Sequence, residues 1–384
     1  MALVVSGVQY SGIWTMQQVD AAKAAGTWPS QPMPYFFAWG QNDQGQLGLG
    51  NQTYYSSPKQ VGSLTTWQSI GSTIFSVAAV KTDGTLWTWG YGGQGQLGLG
   101  STTSYSSPKQ VGALTNWSSI GVGSYFCAAL KTDGTLWAWG SNNVGQLGQG
   151  NTTYYSSPKQ IGALTNWAKI GCGGANMIAV KTDGTLWTWG QNSYGSLGLG
   201  NTTHYSSPKQ VGSLSTWSYI TMSGYTGMAI KTDGTIWSWG LSSYGQLGLG
   251  NITYYSSPKQ IGALTTWLKA SSIYFESYAI KTDGTLWAWG MNDTGQLGQG
   301  NIIVKSSPVQ VGLLTNWSAV QGGSQYAIAV KTDGTLWSWG RNNNGQLGLG
   351  NRTNYSSPKQ VGLLTTWSTL GQSRGNAVVA IATI

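Results

Sequence analysis

The sequence predicts an all-β protein, a seven-bladed β-propeller of four-stranded blades. Three observations carry that prediction. The stretch KTDGTLWTWGYGGQGQLGLG, beginning at Lys81, returns in close copies at Lys131, Lys181, Lys231, Lys281 and Lys331, an unvarying period of 50 residues. Only 8% of the 384 residues are charged, whereas 58 Gly, 22 Trp and 20 Tyr favour strands and tight turns over helices. Each period also holds four short apolar or alternating runs, the strand count of one blade.

Residues 1–34 stand outside the period and read as an N-terminal arm that docks onto a partner. MALVVSGVQYSG lacks the basic segment of a signal peptide, and no run approaches the roughly 18 apolar residues of a membrane span. A chain made in the cytoplasm, without membrane insertion, is the expectation. Residues 35–384 read as the propeller, seven units of 50.

Within a unit, SVAAVK is a buried strand, TDGT carries the Asp-Gly hairpin signal, and TLWTWG alternates large apolar residues with Thr. A long Gly- and Ser-rich loop follows, then KQVGAL and WSSI as two further strands. Three tryptophan series, Trp39 to Trp339, Trp67 to Trp367 and Trp87 to Trp337, belong where neighbouring blades pack. The first unit opens on PYFFAWG without its hairpin partner, and the last ends on NAVVAIATI without the strand that should follow. Pairing the two chain ends completes one blade and removes an open edge.

A strand of small residues, then DGxLWxWG, a loop with GQLGxG and a SSPxxV segment resembles the repeat of the regulator of chromosome condensation family. GQLG recurs in six units, Ser196 replacing Gln in the remaining one. The resemblance implies a seven-bladed propeller whose ends share a blade, and binding through loops on one face. Members act as nucleotide-exchange factors, chromatin binders, plant ultraviolet receptors and bacterial enzyme inhibitors, so no single partner follows from it. The receptors' Gly-Trp-Arg-His-Thr motif has no counterpart here; the matching stretch Gly123–Cys127 reads GSYFC. In the arm, SGIWTMQQVDAAKAAGTWP resembles segments that begin many bacteriophage virion proteins, with Trp14 and Trp28 as docking anchors and QQVDAAKAAG compatible with a short helix.

Little in the chain supports catalysis or a cofactor. It has one histidine, His204, at a loop position that is Tyr in several other units, and one glutamate, Glu276. The six aspartates from Asp83 to Asp333 belong to TDGT turns, where Asp bonds its own backbone. Asp43 and Asp293 share a repeat offset but lie two blades apart, too far for a glycosidase pair. Cys127 and Cys172 fit neither a disulfide framework nor a metal site and read as packing residues. The GQLG glycines recur with no helix behind them, so they serve turns rather than a phosphate cradle.

The net charge of +9 has a source, the SSPK lysines Lys59, Lys109, Lys159, Lys209, Lys259 and Lys359, a collar that could attract anionic surfaces. The units differ most just before the small-residue strand: TIFSV, GSYFC, GGANM, SGYTG, IYFES, GSQYA and SRGNA. Solvent-facing loops with aromatic residues suit a binding surface, and Phe75, Tyr125, Tyr225, Tyr274, Phe275, Gln325 and Arg374 are its candidate residues. Two readings follow. The first is a non-enzymatic virion component of a phage tail or tail fibre, joined to other virion proteins by residues 1–34 and meeting a host-surface glycan or protein through these loops. The alternative is an intracellular regulator that catalyses guanine-nucleotide exchange on a small GTPase. That reading requires an asymmetric site, which near-interchangeable units do not announce.

Overall fold

The computed structural model describes residues 4–5, 8–9, 16–25 and 33–384. Seven antiparallel blades of four strands form the propeller; consecutive strands pair in order in blades 1 to 6, and Gln372–Ser373 adds a short parallel strand to the inner edge of blade 1. Blade 1 runs Trp67–Ser72, Ser76–Lys81, Leu86–Gly90 and Tyr105–Gln110, from the channel outwards. Blades 2 to 6 repeat this arrangement from Trp117, Trp167, Trp217, Trp267 and Trp317. Blade 7 is composite. Its inner strands Trp367–Leu370 and Ala377–Thr383 come from the C-terminus, and its outer strands Pro34–Gly40 and Tyr55–Thr65 from the N-terminus. Register runs from Pro34 opposite Thr383 to Gly40 opposite Ala377, so the chain ends close the ring as the half-units require.

Local chemistry explains the repeat. In KTDGT the Asp83 carboxylate accepts the Thr85 N–H at 3.0 Å and its hydroxyl at 2.6 Å, and Thr85 Oγ1 accepts the Trp87 indole at 2.9 Å. Gly84 takes φ +76°, and a Cβ there would lie 2.0 Å from the Thr115 carbonyl oxygen, so the turn admits only glycine. The GQLG loop locks one blade to the next. The Gln46 carbonyl accepts the Trp89 indole N–H at 3.0 Å, and this contact recurs in every blade. The tryptophans from Trp39 to Trp339 are fully buried, each inside an interblade cluster such as Trp189 with Leu147, Trp167 and Cys172.

One expectation needs correction. The outer strand begins at Tyr105 and ends at Gln110, so it contains SSPKQ, whereas VGAL forms the following turn. Pro108 is tolerated because this strand is the blade's outer edge and its missing N–H faces no partner. The tryptophans from Trp87 to Trp337 pack against the interblade clusters as expected, half-buried, each at the mouth of an interblade cleft. In the arm, Met16–Ala24 is a helix, and Met16 packs on the closing blade. No helix among the described residues is long and apolar enough to cross a membrane.

Candidate functional site

Each blade sends two loops to the same end of the propeller: the tight turn between its first two strands and the long loop before its outer strand. The long loop of one blade meets the tight turn of the next, and aromatic rings gather at that seam. Phe75 lies 6.3 Å from Tyr125 and 6.4 Å from Tyr91. Farther round, Tyr225 stacks on Phe275 at 6.3 Å, Tyr194 stands edge-on to Tyr225 at 5.4 Å, and Tyr244 to Phe275 at 5.2 Å. Ala175 occupies the equivalent position in blade 3 and separates the two groups. The face is therefore not sevenfold.

Beyond Phe275 the surface turns polar. The Gln325 amide bonds the Asp293 carboxylate at 3.3 Å and accepts from the Arg341 guanidinium at 2.9 Å. Its backbone N–H donates to Glu276 Oε1 at 3.0 Å. Glu276 is 1% exposed, and burial, reinforced by the charge of Asp293, holds its carboxyl well above the usual range. Tyr274 and Gln325 sit at φ +39° and +65°, left-handed conformations that cost non-glycine residues energy. Strain of this kind is often retained at binding sites.

Arg374 lies elsewhere than expected. It is 1% exposed, and its guanidinium points into the central channel, donating to the carbonyls of Val122 and Met222 on blades 2 and 4. Desolvation lowers its pKa to about 10, which leaves it charged at neutral pH. The cause is its repeat offset: Arg374 aligns with Ile74, Ser124, Gly174, Gly224, Tyr274 and Ser324, one residue short of the rim position held by Phe75. Only the closed ring supplies inward carbonyls to accept it. Tyr274 shares that offset, is half-buried, and bonds the Arg374 carbonyl. So Phe75, Tyr125, Tyr225, Phe275 and Gln325 form the face, while Tyr274 and Arg374 close the channel beneath it.

The model for the RCC1-like domain matches residues 35–275, and that for the regulator of chromosome condensation (RCC1) repeat matches 283–330 and 333–382. The chain belongs to the RCC1-like family. Human WBSCR16 is similar in fold, with a TM-score of 0.82 over 91% of this chain and 98% of that one at 19% identity. Prp20p from Saccharomyces cerevisiae matches with a TM-score of 0.80 over 92% of both chains at 20% identity, and yeast RCC1 (Prp20) bound to Kap60 matches at 0.81 over 92% and 90% at 18%. No curated protein matches the chain. The family models begin at Tyr35, so the arm's resemblance to virion proteins has no counterpart among these matches, and Trp14 and Trp28 lie outside the described residues.

On this RCC1-like propeller the SSPK lysines ring the outer edge, each over the Tyr four residues earlier in its strand, as Lys109 over Tyr105 at 5.3 Å. They lie on the outermost strands, around the rim of the propeller rather than at the channel. His204 is exposed, and its Nδ1 accepts the Asn192 N–H at 3.1 Å, the loop-closing role that Ser104 Oγ plays toward Gly92. Cys127 and Cys172 are buried free thiols. Sequence reasoning missed Tyr91, Tyr194 and Tyr244. Their signal was present, because the positions after each Trp-Gly also diverge between units, from Tyr91 to Gln191 and Arg341 and from Tyr194 to Val144 and Thr294.

Proposed function

We propose that this chain is a binding propeller that engages a folded protein through the aromatic face, and that its partner is a small GTPase whose bound nucleotide it helps to release. The observation that carries this reading is the asymmetry of the face. An aromatic sector over blades 4 and 5 adjoins a polar sector built from Glu276, Asp293, Gln325 and Arg341. Aromatic anchors beside a charged rim are what a specific protein interface requires, and seven equal loops would not provide a single orientation. Prp20p, the yeast protein of similar fold, binds Gsp1p and histones.

Exchange by such a protein makes and breaks no covalent bond. It works by differential affinity: a face that binds the nucleotide-free GTPase more tightly than the loaded form shifts the equilibrium toward release. The test is nucleotide release from a panel of small GTPases with the propeller added at catalytic concentration. Acceleration for one member supports the reading, and no acceleration for any member contradicts it. The virion reading rests on residues 1–34 alone and ranks behind this one, because no contact on the face favours it.

A further inference from the structure

On the flank of the propeller, between neighbouring blades, a cleft recurs. Those between blades 3 and 4, 4 and 5, and 5 and 6 have volumes of about 380, 390 and 490 Å³. In the middle one, Trp267 and Trp287 of blade 5 form one wall and Leu249, Gln260 and Ile261 of blade 4 the other. The KTDG lysine enters between the two indoles. The Lys281 ammonium lies 3.7 Å from the Trp287 ring centre and 4.9 Å from that of Trp267.

These lysines rest on aromatic rings rather than in a close ion pair. Lys131, Lys181, Lys281 and Lys331 are 7–8% exposed, yet none forms a salt bridge or side-chain hydrogen bond among the described residues. Each is held over two tryptophan rings instead, as Lys181 is at 3.7 Å from Trp187 and 5.1 Å from Trp167. The stem of each lysine is buried on the rings while its ammonium opens into the cleft, where the aspartate of its own turn supplies the nearest opposite charge, as Asp283 does for Lys281. The indole N–H groups of Trp167, Trp217, Trp267 and Trp317 are buried without a partner. Unpartnered indole donors thus recur beside a cation at these clefts, whereas at the cleft between blades 7 and 1 Trp67 donates to the Leu64 carbonyl and Lys81 pairs with Asp83.

The closing blade provides an internal contrast. There Phe37 stands in place of the second tryptophan and Ile381 in place of the lysine, and the cleft beside Trp367 is lined by Met16 and Gln17 of the arm. That cleft, of about 360 Å³, is open like the others but holds neither the lysine nor the second indole.

We propose that the clefts with a lysine between two indoles are binding sites for an acidic saccharide, a sugar ring carrying a carboxylate. The carboxylate would meet the lysine ammonium, the apolar face of the ring the indole edge, and the hydroxyls the Gln260-type amide. Charge complementarity favours an anion, since the protein carries +9 overall. Clefts of this volume take a single ring or two rather than a folded chain, and their recurrence around the flank matches a polymer of repeating acidic units. The site is separate from the aromatic face and independent of the reading given for it.

The test is quenching of tryptophan fluorescence in the full chain by tetragalacturonate, with maltotetraose and a glutamate tetrapeptide as controls. The expected result is saturable quenching by the acidic saccharide with more than one site per chain, and affinity at least tenfold weaker for both controls. The double variant Lys231→Met, Lys281→Met keeps the apolar stems over the rings and should lower the number of sites by about two. Lys281→Arg, which retains the charge, should keep its site and serves if the double variant does not fold. No saturable quenching, an equal response to either control, or unchanged stoichiometry in the double variant, or loss of a site in Lys281→Arg, would overturn the proposal.

Discussion

The Tyr274 hydroxyl donates to the main-chain carbonyl of Arg374 across 2.9 Å, joining residues 100 positions apart at the channel axis. The segment around Arg374 reaches the other blades as well. Gln372 and Ser373 pair in parallel with Gly71 and Ser72 of blade 1, the Gln372 amide donates to the Cys172 carbonyl at 3.2 Å, and Tyr326 of blade 6 bonds Ser373 at 2.9 Å. With the guanidinium contacts to Val122 and Met222, the C-terminal strand's entry segment touches all six other blades. It acts as a hub as well as a closing strand.

Removing the hub side chain should therefore loosen the ring. Arg374→Ala is expected to cost about 2–4 kcal/mol, because hydrogen bonds to a charged group contribute about 1.5–3 kcal/mol each, less the relief of burying a charge. Tyr274→Phe should cost about 1 kcal/mol, one neutral bond. Denaturant unfolding measures both. An Arg374→Ala midpoint equal to the wild-type value would show that the channel contacts do not hold the blades.

Closure itself is tested by deleting residues 376–384. The deletion uncovers the Pro34–Gly40 edge and one face of Trp39 and Phe37, so a lower melting temperature and self-association are expected. A truncated chain that stays monomeric with an unchanged melting temperature would contradict closure.

Much of this was readable beforehand, for definite reasons. The period of 50, the Trp-Gly series and the half-units at the two ends are local patterns, and local patterns determine strands, turns and blade count. Arg374 was not readable as a channel residue. Its acceptors lie 252 and 152 residues away and converge only when the ring closes, whereas a lone arginine in a divergent loop looks exposed. Glu276 was hidden similarly, since its burial depends on Gln325 from the next blade. The aromatic face was half visible: Phe75 and Tyr225 stand out within one loop, but their partners Tyr91 and Tyr194 come from another.

The division between core and face gives a paired expectation. Trp189→Ala removes a fully buried indole and should cost about 3–5 kcal/mol, whereas Tyr225→Ala at the half-buried face should cost much less. Equal shifts in urea unfolding would refute the division.

Glu276 predicts a pH dependence of definite sign. Its folded pKa is raised, so its contribution to stability is complete below the unfolded value of about 4.3 and is lost as pH rises through the folded value. Wild type should accordingly lose stability relative to Glu276→Gln as pH rises above that unfolded value. Melting curves of both proteins across that rise decide the matter, and parallel pH slopes would mean that the carboxyl is ionised throughout.

The most direct test of the functional account is release of a fluorescent guanine nucleotide from small GTPases, measured with the wild-type propeller and with the double variant Tyr225→Ala, Phe275→Ala. These two rings stack at 6.3 Å at the centre of the larger aromatic sector, and their loss should leave the fold intact. The account predicts at least tenfold faster release from one GTPase with the wild type, and a return to the spontaneous rate with the variant. Release that no GTPase shows accelerated, or that the variant accelerates equally, would contradict it.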